Sequence, residues 1–425
     1  MKRPFLLAAL LVVSAALAQA PQLESLGIDT ARATIPVGEI LSGGPPPQHI
    51  PALGFAGDWR GATKETPAPG FVSQEDAAGW LGAQEPVIAV NLNGEAKAYP
   101  LQILIWHEIA NDALGGVPIA VTFCPLCNSA FVFDRRVPLS QEAQAAVLEV
   151  NEAQPAALDG AFLAAYAHQW GATEAFVGGL EVTFGVSGML YNSNVLMFDS
   201  TTSTLWAQLL GEGNVGTLAG TKLLRYPGQI ISFEAFRQAF PGAPVMSRDT
   251  GFSRDYGQNP YAGYDDVDSP PWFPAGAGDD RLPPKARVVT LEFPDAAVAF
   301  PFEVLKKARA INHTLAGRSF VVFWSEGTAS ALDHAMISSG RDVGAVGVFE
   351  RGVNGRELTF GWNGEAFIDE QTGSHWNLLG RATSGELEGS ELIALPHDNT
   401  LWFAWAAFMP DTLVYGGEQP VGTGE

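Results

Sequence analysis

Two cysteines in 425 residues exclude a disulfide-stapled scaffold, which needs several bridges to make up for a small core. Charge is scarce too. Only 16% of residues are charged, and 24 Lys and Arg stand against 46 Asp and Glu, a net charge of −22. Disorder combines high charge with low hydrophobicity, and a hydrophobic content of 47% excludes it here. The shortage of basic residues argues against nucleic acid and anionic membrane surfaces as partners, since both are bound through clustered Lys and Arg. No Walker loop and no Rossmann glycine fingerprint occurs, so no nucleotide cofactor is expected. Beyond residue 17 no run is apolar enough to cross a bilayer.

What is abundant is turn chemistry. The 47 Gly and 29 Pro point to many turns and a β-rich chain, and the length suits two or three domains. Lys2 and Arg3 precede an apolar run from Pro4 to Leu17, followed by Ala16-Leu17-Ala18. A basic start, a short apolar stretch and an A-x-A site are the parts of an export signal, and the run is shorter than the roughly 20 residues of a membrane span. Residues 1–18 are therefore expected to be a signal peptide cut after Ala18. The rest is expected to be soluble, exported to the periplasm or beyond, and held in an oxidising compartment.

The chain also repeats itself. Ala98-Tyr99-Pro100-Leu101 returns as Ala299-Phe300-Pro301-Phe302, and Asn111 and Gly116 return as Asn312 and Gly317, at a constant offset of 201. Farther on, Asp199, Thr202 and Trp206 return as Asp369, Thr372 and Trp376. Two copies are too few for a solenoid. The fold expected is α+β and β-rich, with two pseudo-repeated lobes from an internal duplication, at 85–247 and 287–417. Residues 19–84 form an irregular arm, 141–176 a helical insertion broken at Pro155, 248–286 a Pro/Gly/aromatic connector that packs on the body, and 418–425 a tail. Within the first lobe, Pro86–Tyr99 predicts a hairpin turning at Asn93-Gly94, and 100–114 a helix stopped by Gly115-Gly116. The Asp/Thr/Trp pattern predicts a turn closed by side-chain hydrogen bonds with Trp packed behind it.

Where the copies differ, the shared positions are what the fold needs. Trp106-His107-Glu108 and Asn111-Asp112 face Lys307-Ala308-Arg309 and Asn312-His313, and Cys124-Pro125-Leu126-Cys127-Asn128-Ser129 faces Ser325-Glu326-Gly327-Thr328-Ala329-Ser330. The subtraction isolates His107, Glu108, Asp112, Cys124 and Cys127. Two thiolates from one turn suit a soft metal, copper or zinc, with further ligands from elsewhere. They equally suit a dithiol/disulfide redox pair tuned by a nearby group. A bridge closing so short a loop would stabilise by only about 2 kcal/mol, and a purely structural disulfide stays open beside the other two. On a helix His107 and Asn111 would share a face, as would Glu108 and Asp112, although Asn111-Asp112 would also serve to end that helix. The remaining histidines show no ligand spacing. Gly185–Ser193 suits a pocket lining, with Met189 as a soft donor.

Ile105 through Asp112 and Val121 through Ala130, with Phe184-Gly185-Val186-Ser187-Gly188, Tyr191-Asn192-Ser193, Asn259-Pro260-Tyr261 and Leu282-Pro283-Pro284-Lys285, resemble the bacterial exported family catalogued as domain of unknown function 3179. The resemblance spans about 50–420 and departs at the 141–176 insertion. It implies export and draws weight to the HE and CPLC segments, and it names no substrate. The expected function is soft-metal binding by Cys124, Cys127 and His107, with Glu108 or Asp112 supporting or ligating. The alternatives are a thiol-disulfide oxidoreductase on the same cysteines, or a scaffold that binds a small molecule or partner.

Overall fold

Alternating residues around Asn93-Gly94 fold as expected into a hairpin of β1 (Pro86–Leu92) and β2 (Glu95–Pro100). Asn93 and Gly94 take φ of 52° and 82°, the two left-handed residues of a type I′ turn. The computed structural model describes residues 23–24, 26–57, 64–171, 175–273, 275–276 and 278–416. The expected signal peptide and the tail lie outside the described residues.

Pro100 launches α1 (Leu101–His107), in which all but Trp106 are buried. The helix is half the expected length. It stops at Glu108, whose φ is 56°, and Ile109–Leu114 is strand β3, paired with β4 (Val117–Cys124) so that Leu114 faces Val117. Gly115-Gly116 is thus a hairpin turn rather than a helix stop. Asn111 and Asp112 alternate across a strand instead of stacking above His107 and Glu108 on a helix. The cause is tertiary: β4 is a buried strand that needs a partner on this edge, and its pairing outweighs local helix propensity.

β5 (Ser129–Asp134) continues the sheet on the far side of β4, with every side chain buried. The insertion forms α2 (Gln141–Val150) and α3 (Gly160–Trp170) on either side of Pro155, capped by Ser140 and Asp159. A third group of strands follows, led by β6 (Phe184–Tyr191) and β7 (Asn194–Asp199), paired antiparallel with a bulge between Val186 and Met189. Gly228–Ser232 then pairs with β1 and leads into α4 (Phe233–Ala239), capped by Ser232.

In the second half, β8 (Arg287–Phe293), β9 (Ala296–Pro301), α5 (Phe302–Ala308), β10 (Ala310–Leu315) and β11 (Arg318–Ser325) follow in the order and lengths of β1, β2, α1, β3 and β4. Arg309 has φ 64°, in the place of Glu108. The Asn312 amide bonds Phe360 N–H and C=O as Asn111 bonds those of Phe184. β12 (Asp398–Leu401) pairs with β8 as Gly228–Ser232 pairs with β1. The main hydrophobic cluster nevertheless crosses between the halves, joining Cys124, Cys127 and Phe131 to Leu401, Trp402 and Trp405. The connector packs on it through Tyr256, Tyr261 and Tyr264. Among the described residues no helix is long and apolar enough to cross a membrane.

Candidate dithiol site

Strand β4 ends at Cys124 because Pro125 cannot donate to the ladder. The chain reverses through Leu126-Cys127-Asn128, with Cys127 N–H on Cys124 O at 3.2 Å and Asn128 N–H on Pro125 O at 3.3 Å. Asn128 supplies the positive φ, 54°, that Asn tolerates better than most residues. Ser129 then pairs with Cys124. One tight turn therefore carries both sulfurs, and both are free thiols, 1% and 0% exposed.

The two differ in environment. Cys127 Sγ donates to Ser193 O at 3.2 Å and receives the Asn194 amide at 3.5 Å. Burial pushes its thiol well above the usual range, helped by hydrogen bonding to Cys124 and by the charge of Cys124, against the Asn194 amide; Asp398 pushes it up further. Cys124 goes the other way. Burial raises its thiol, but the Cys127 side chain and the backbone N–H groups of Val195, Cys127 and Leu126 more than offset this, and the net direction is downward. Hydrogen-bond donors near a sulfur favour the thiolate. The Cys127 S–H donates to Ser193 O.

Glu108 lies beside this turn, its C=O accepting Phe123 N–H at 2.8 Å. Burial holds its carboxyl well above the usual range, and the charge of Cys124 adds to that. Its left-handed backbone is no mark of the site, because Arg309 shares it at the matching joint. A cavity of about 190 Å³ lies beside the turn, lined by Glu108, Leu126, Met189, Val195, Tyr261 and Trp272. Leu126, between the two cysteines, is the residue of the turn that reaches it, and neither cysteine lines it. Trp272 is 56% exposed at the rim and stacks on Tyr261. A larger cleft of about 540 Å³, around Arg32, Ser140 and Lys222, contains no thiol.

His107 and Asp112 are placed elsewhere. Both ring nitrogens of His107 are engaged, Nδ1 with Pro51 O at 2.7 Å and Nε2 with Tyr256 Oη at 2.6 Å. Asp112 takes Lys97 Nζ and Tyr99 Oη, each at 2.7 Å. Among the described residues no group of three or more His, Cys, Asp or Glu gathers as a metal cage. The expected ligand set therefore separates: Cys124 and Cys127 share one turn, Glu108 flanks it through its backbone bond to Phe123, and His107 and Asp112 hold the scaffold. Asn194, Val195, Tyr264 and Asp398 escaped sequence reasoning, whereas Ser193 ends the stretch read as a pocket lining, from which Met189 does line the cavity. Tyr261 and Tyr264 stood out as connector aromatics, but nothing in their spacing tied them to the turn.

His107 has a measurable role. Burial, its largest influence, brings its ring down to about 4, against the Pro51 C=O. A neutral buried ring stabilises the fold fully above the unfolded value near 6.5, and that contribution is lost as pH falls toward 4. Wild-type protein should therefore lose on the order of 3 kcal/mol relative to His107→Gln between pH 7 and 4. Urea midpoints at the two pH values measure it, and a pH-independent difference would contradict it.

A family model described as "Protein of unknown function (DUF3179)" matches residues 49–412. No curated protein and no solved structure matches the chain.

Proposed function

The chain belongs to the DUF3179 family, and from its geometry we propose that it is an exported thiol-disulfide oxidoreductase acting on small, largely apolar disulfides. The supporting observation is one tight turn that carries two buried free thiols, with Leu126, between them, in the wall of a cavity. Burial of both sulfurs keeps protein disulfides away, and the aromatic and aliphatic lining favours an uncharged substrate. The Cys124 thiolate attacks one sulfur of R–S–S–R′, forming Cys124–S–S–R and releasing R′–S⁻, which Glu108 protonates. The Cys127 sulfur then attacks that of Cys124, loses its proton and expels R–S⁻, leaving a Cys124–Cys127 disulfide. The matched order and lengths of elements in the two halves support an origin by duplication, with the thiols kept in the first copy.

Diethyl disulfide tests the reading. Reduced protein should consume one equivalent and finish with an internal disulfide and no adduct. Cys127→Ser should stop at a mixed disulfide on Cys124, and Cys124→Ser should not react. The pair should also have a reduction potential above about −300 mV, the range of reactive rather than structural disulfides. First reaction at Cys127 would overturn the mechanism. A stoichiometric soft metal on purified protein, lost in Cys124→Ser, would replace it with metal binding.

A further inference from the structure

Two sets of contacts hold Cys127. Strand β12 lies across the backbone of the thiol turn: Leu401 N–H and Thr400 Oγ1 donate to Cys127 O at 2.8 and 3.0 Å, and Asn128 Nδ2 donates to Asn399 O at 3.0 Å. The sulfur is held by the turn between β6 and β7. There Asn192 and Ser193 take φ of 48° and 62°, the two left-handed residues of a type I′ turn. That turn brings Ser193 O to the Cys127 S–H at 3.2 Å and the Asn194 amide to the sulfur at 3.5 Å. Behind the amide runs a chain of buried side chains. Asn194 Nδ2 also donates to Gln208 Oε1 at 2.9 Å, and Asn194 Oδ1 accepts Leu209 N–H at 2.9 Å. Gln208 Oε1 accepts Ser129 Oγ at 2.7 Å, and Gln208 Nε2 donates to Ser129 O and Thr122 Oγ1 at 3.2 and 3.0 Å. Backbone groups settle both amides: the Leu209 N–H requires an oxygen from Asn194, and the Ser129 C=O requires a nitrogen from Gln208. An N–H of Asn194 therefore faces the sulfur.

The second half of the chain builds the same elements without this network. By register on β4 and β11, and by count from the two Asp/Thr/Trp turns, Thr122, Asn194 and Gln208 are matched there by Phe323, Gly364 and Leu378. That half has no cysteine, and Phe323 stacks on Phe367 in place of a polar contact. Burying two amides costs desolvation that an apolar core avoids, so their place beside the thiols calls for a task. We infer that Asn194 is a catalytic hydrogen-bond donor to the Cys127 sulfur as the disulfide closes, and that Gln208 is the positioning residue that locks its amide there. The inference rests on the dithiol reading. In closure, Cys127–SH and Cys124–S–S–R become Cys124–S–S–Cys127 and R–SH. The Cys127 S–H bond and the bond from Cys124 to the R sulfur break, the bond between the two cysteines forms, and the proton leaves on R–SH. Negative charge develops on the Cys127 sulfur as its proton departs, and a fixed N–H aimed at that sulfur stabilises the charge without reorganisation. The groups that act on this thiol fit the role. Burial, Cys124 and Asp398 hold it high, and the Asn194 amide opposes them. Cys124 has no charge once it is bonded to the R sulfur. Tyr264, pushed up by burial and then by Cys127 and Cys124, stays protonated.

Rapid mixing of reduced protein with diethyl disulfide separates release of the first ethanethiol from closure by Cys127. In Asn194→Ala the first step should match wild type within about twofold. Closure should slow on the order of tenfold, the scale of one hydrogen bond to a charged group, and its rise with pH should move to higher pH. Gln208→Leu, which supplies the residue of the second half, should change closure in the same sense by less. Thr202→Val loosens the turn at the far end of β7 and should close at the wild-type rate. Equal slowing of both steps in Asn194→Ala, or slowed closure in Thr202→Val, would overturn the inference, because the effect would then belong to packing. Unchanged closure in Asn194→Ala would overturn it while leaving the dithiol reading standing. Wild type serves if the Asn194 and Gln208 variants do not fold: the NMR signal of the Asn194 side-chain amide should shift when the thiol becomes a disulfide, and an identical signal in both forms would overturn the inference. Failure of the first step in wild type would instead remove the dithiol reading itself.

Discussion

Replacing Asp199 by Ala should lower the stability of the protein by on the order of 3–5 kcal/mol, the scale for stripping one member from a buried hydrogen-bonded network. Its carboxylate is fully buried and collects donors from the whole turn. Thr201 N–H, Thr202 N–H and Thr204 N–H reach it at 3.0, 2.5 and 3.1 Å, Thr202 Oγ1 at 2.7 Å and Trp206 Nε1 at 3.1 Å. An alanine leaves these donors buried and without an acceptor, and Trp206, itself 0% exposed, loses the contact that fixes its indole against Phe184. Domains have about 5–15 kcal/mol in hand, so the variant should unfold at a far lower urea concentration with little change in slope. Thr202→Val, which removes one donor to Asp199 and the hydroxyl contact with Thr204, should cost less, about 1–3 kcal/mol. The matching Asp369→Ala should cost less than Asp199→Ala, because Thr372 there is only partly buried. A loss below 1 kcal/mol for Asp199→Ala would mean that the turn is held by its backbone alone.

Glu292→Ala should be comparably damaging, for an electrostatic reason. Arg225, from the first half, and Glu292, from β8, meet at 2.9 Å with side chains 6% and 9% exposed. The guanidinium also donates to Leu209 O and Leu210 O at 3.2 and 2.5 Å and lies over the rings of Phe131 and Trp170. Glu292 is the only carboxylate paired with Arg225 among the described residues; Lys222, at 3.5 Å, shares it from a more exposed position. Deleting one partner of a buried pair leaves an uncompensated charge, worth about 3–5 kcal/mol. Replacing both, as Arg225→Met with Glu292→Leu, should recover most of the loss, because the desolvation penalty disappears with the pair. Urea unfolding of the three variants forms a double-mutant cycle, and additive losses would refute the coupling.

What the sequence made legible was mainly local. The Asn93-Gly94 hairpin, the break at Pro155 and the Asp/Thr/Trp turn each depend on residues within a few positions of one another, so their chemistry is written in order. The end of α1 was not legible. Gly115-Gly116 after an apolar stretch suits a helix stop and a hairpin turn equally, and the choice was made by β4, a neighbour in space. Half of the candidate site followed from comparing the two halves of the sequence. Cys124 and Cys127 share one turn with Glu108 flanking it, whereas His107 is drawn off by Pro51 and Tyr256, from the arm and the connector. Asp398, which accepts Ala130 N–H, was invisible to that subtraction, because it lies in the second half of the chain, which has no cysteine. The signal sought was a residue absent from the matching position of the second half, and a contact made from that half to the thiol turn has no such signature.

The strand that roofs the thiol turn has a consequence for how the chain is made. Asn128 and Asn399 touch, yet 271 positions separate them. A ribosome adding about 5–20 residues per second takes tens of seconds to cover that stretch, and throughout it a nascent Cys124 and Cys127 have no lid. Whatever oxidant or reductant meets the emerging polypeptide acts on bare sulfur first, so the pair is sealed in whichever state its birthplace dictates.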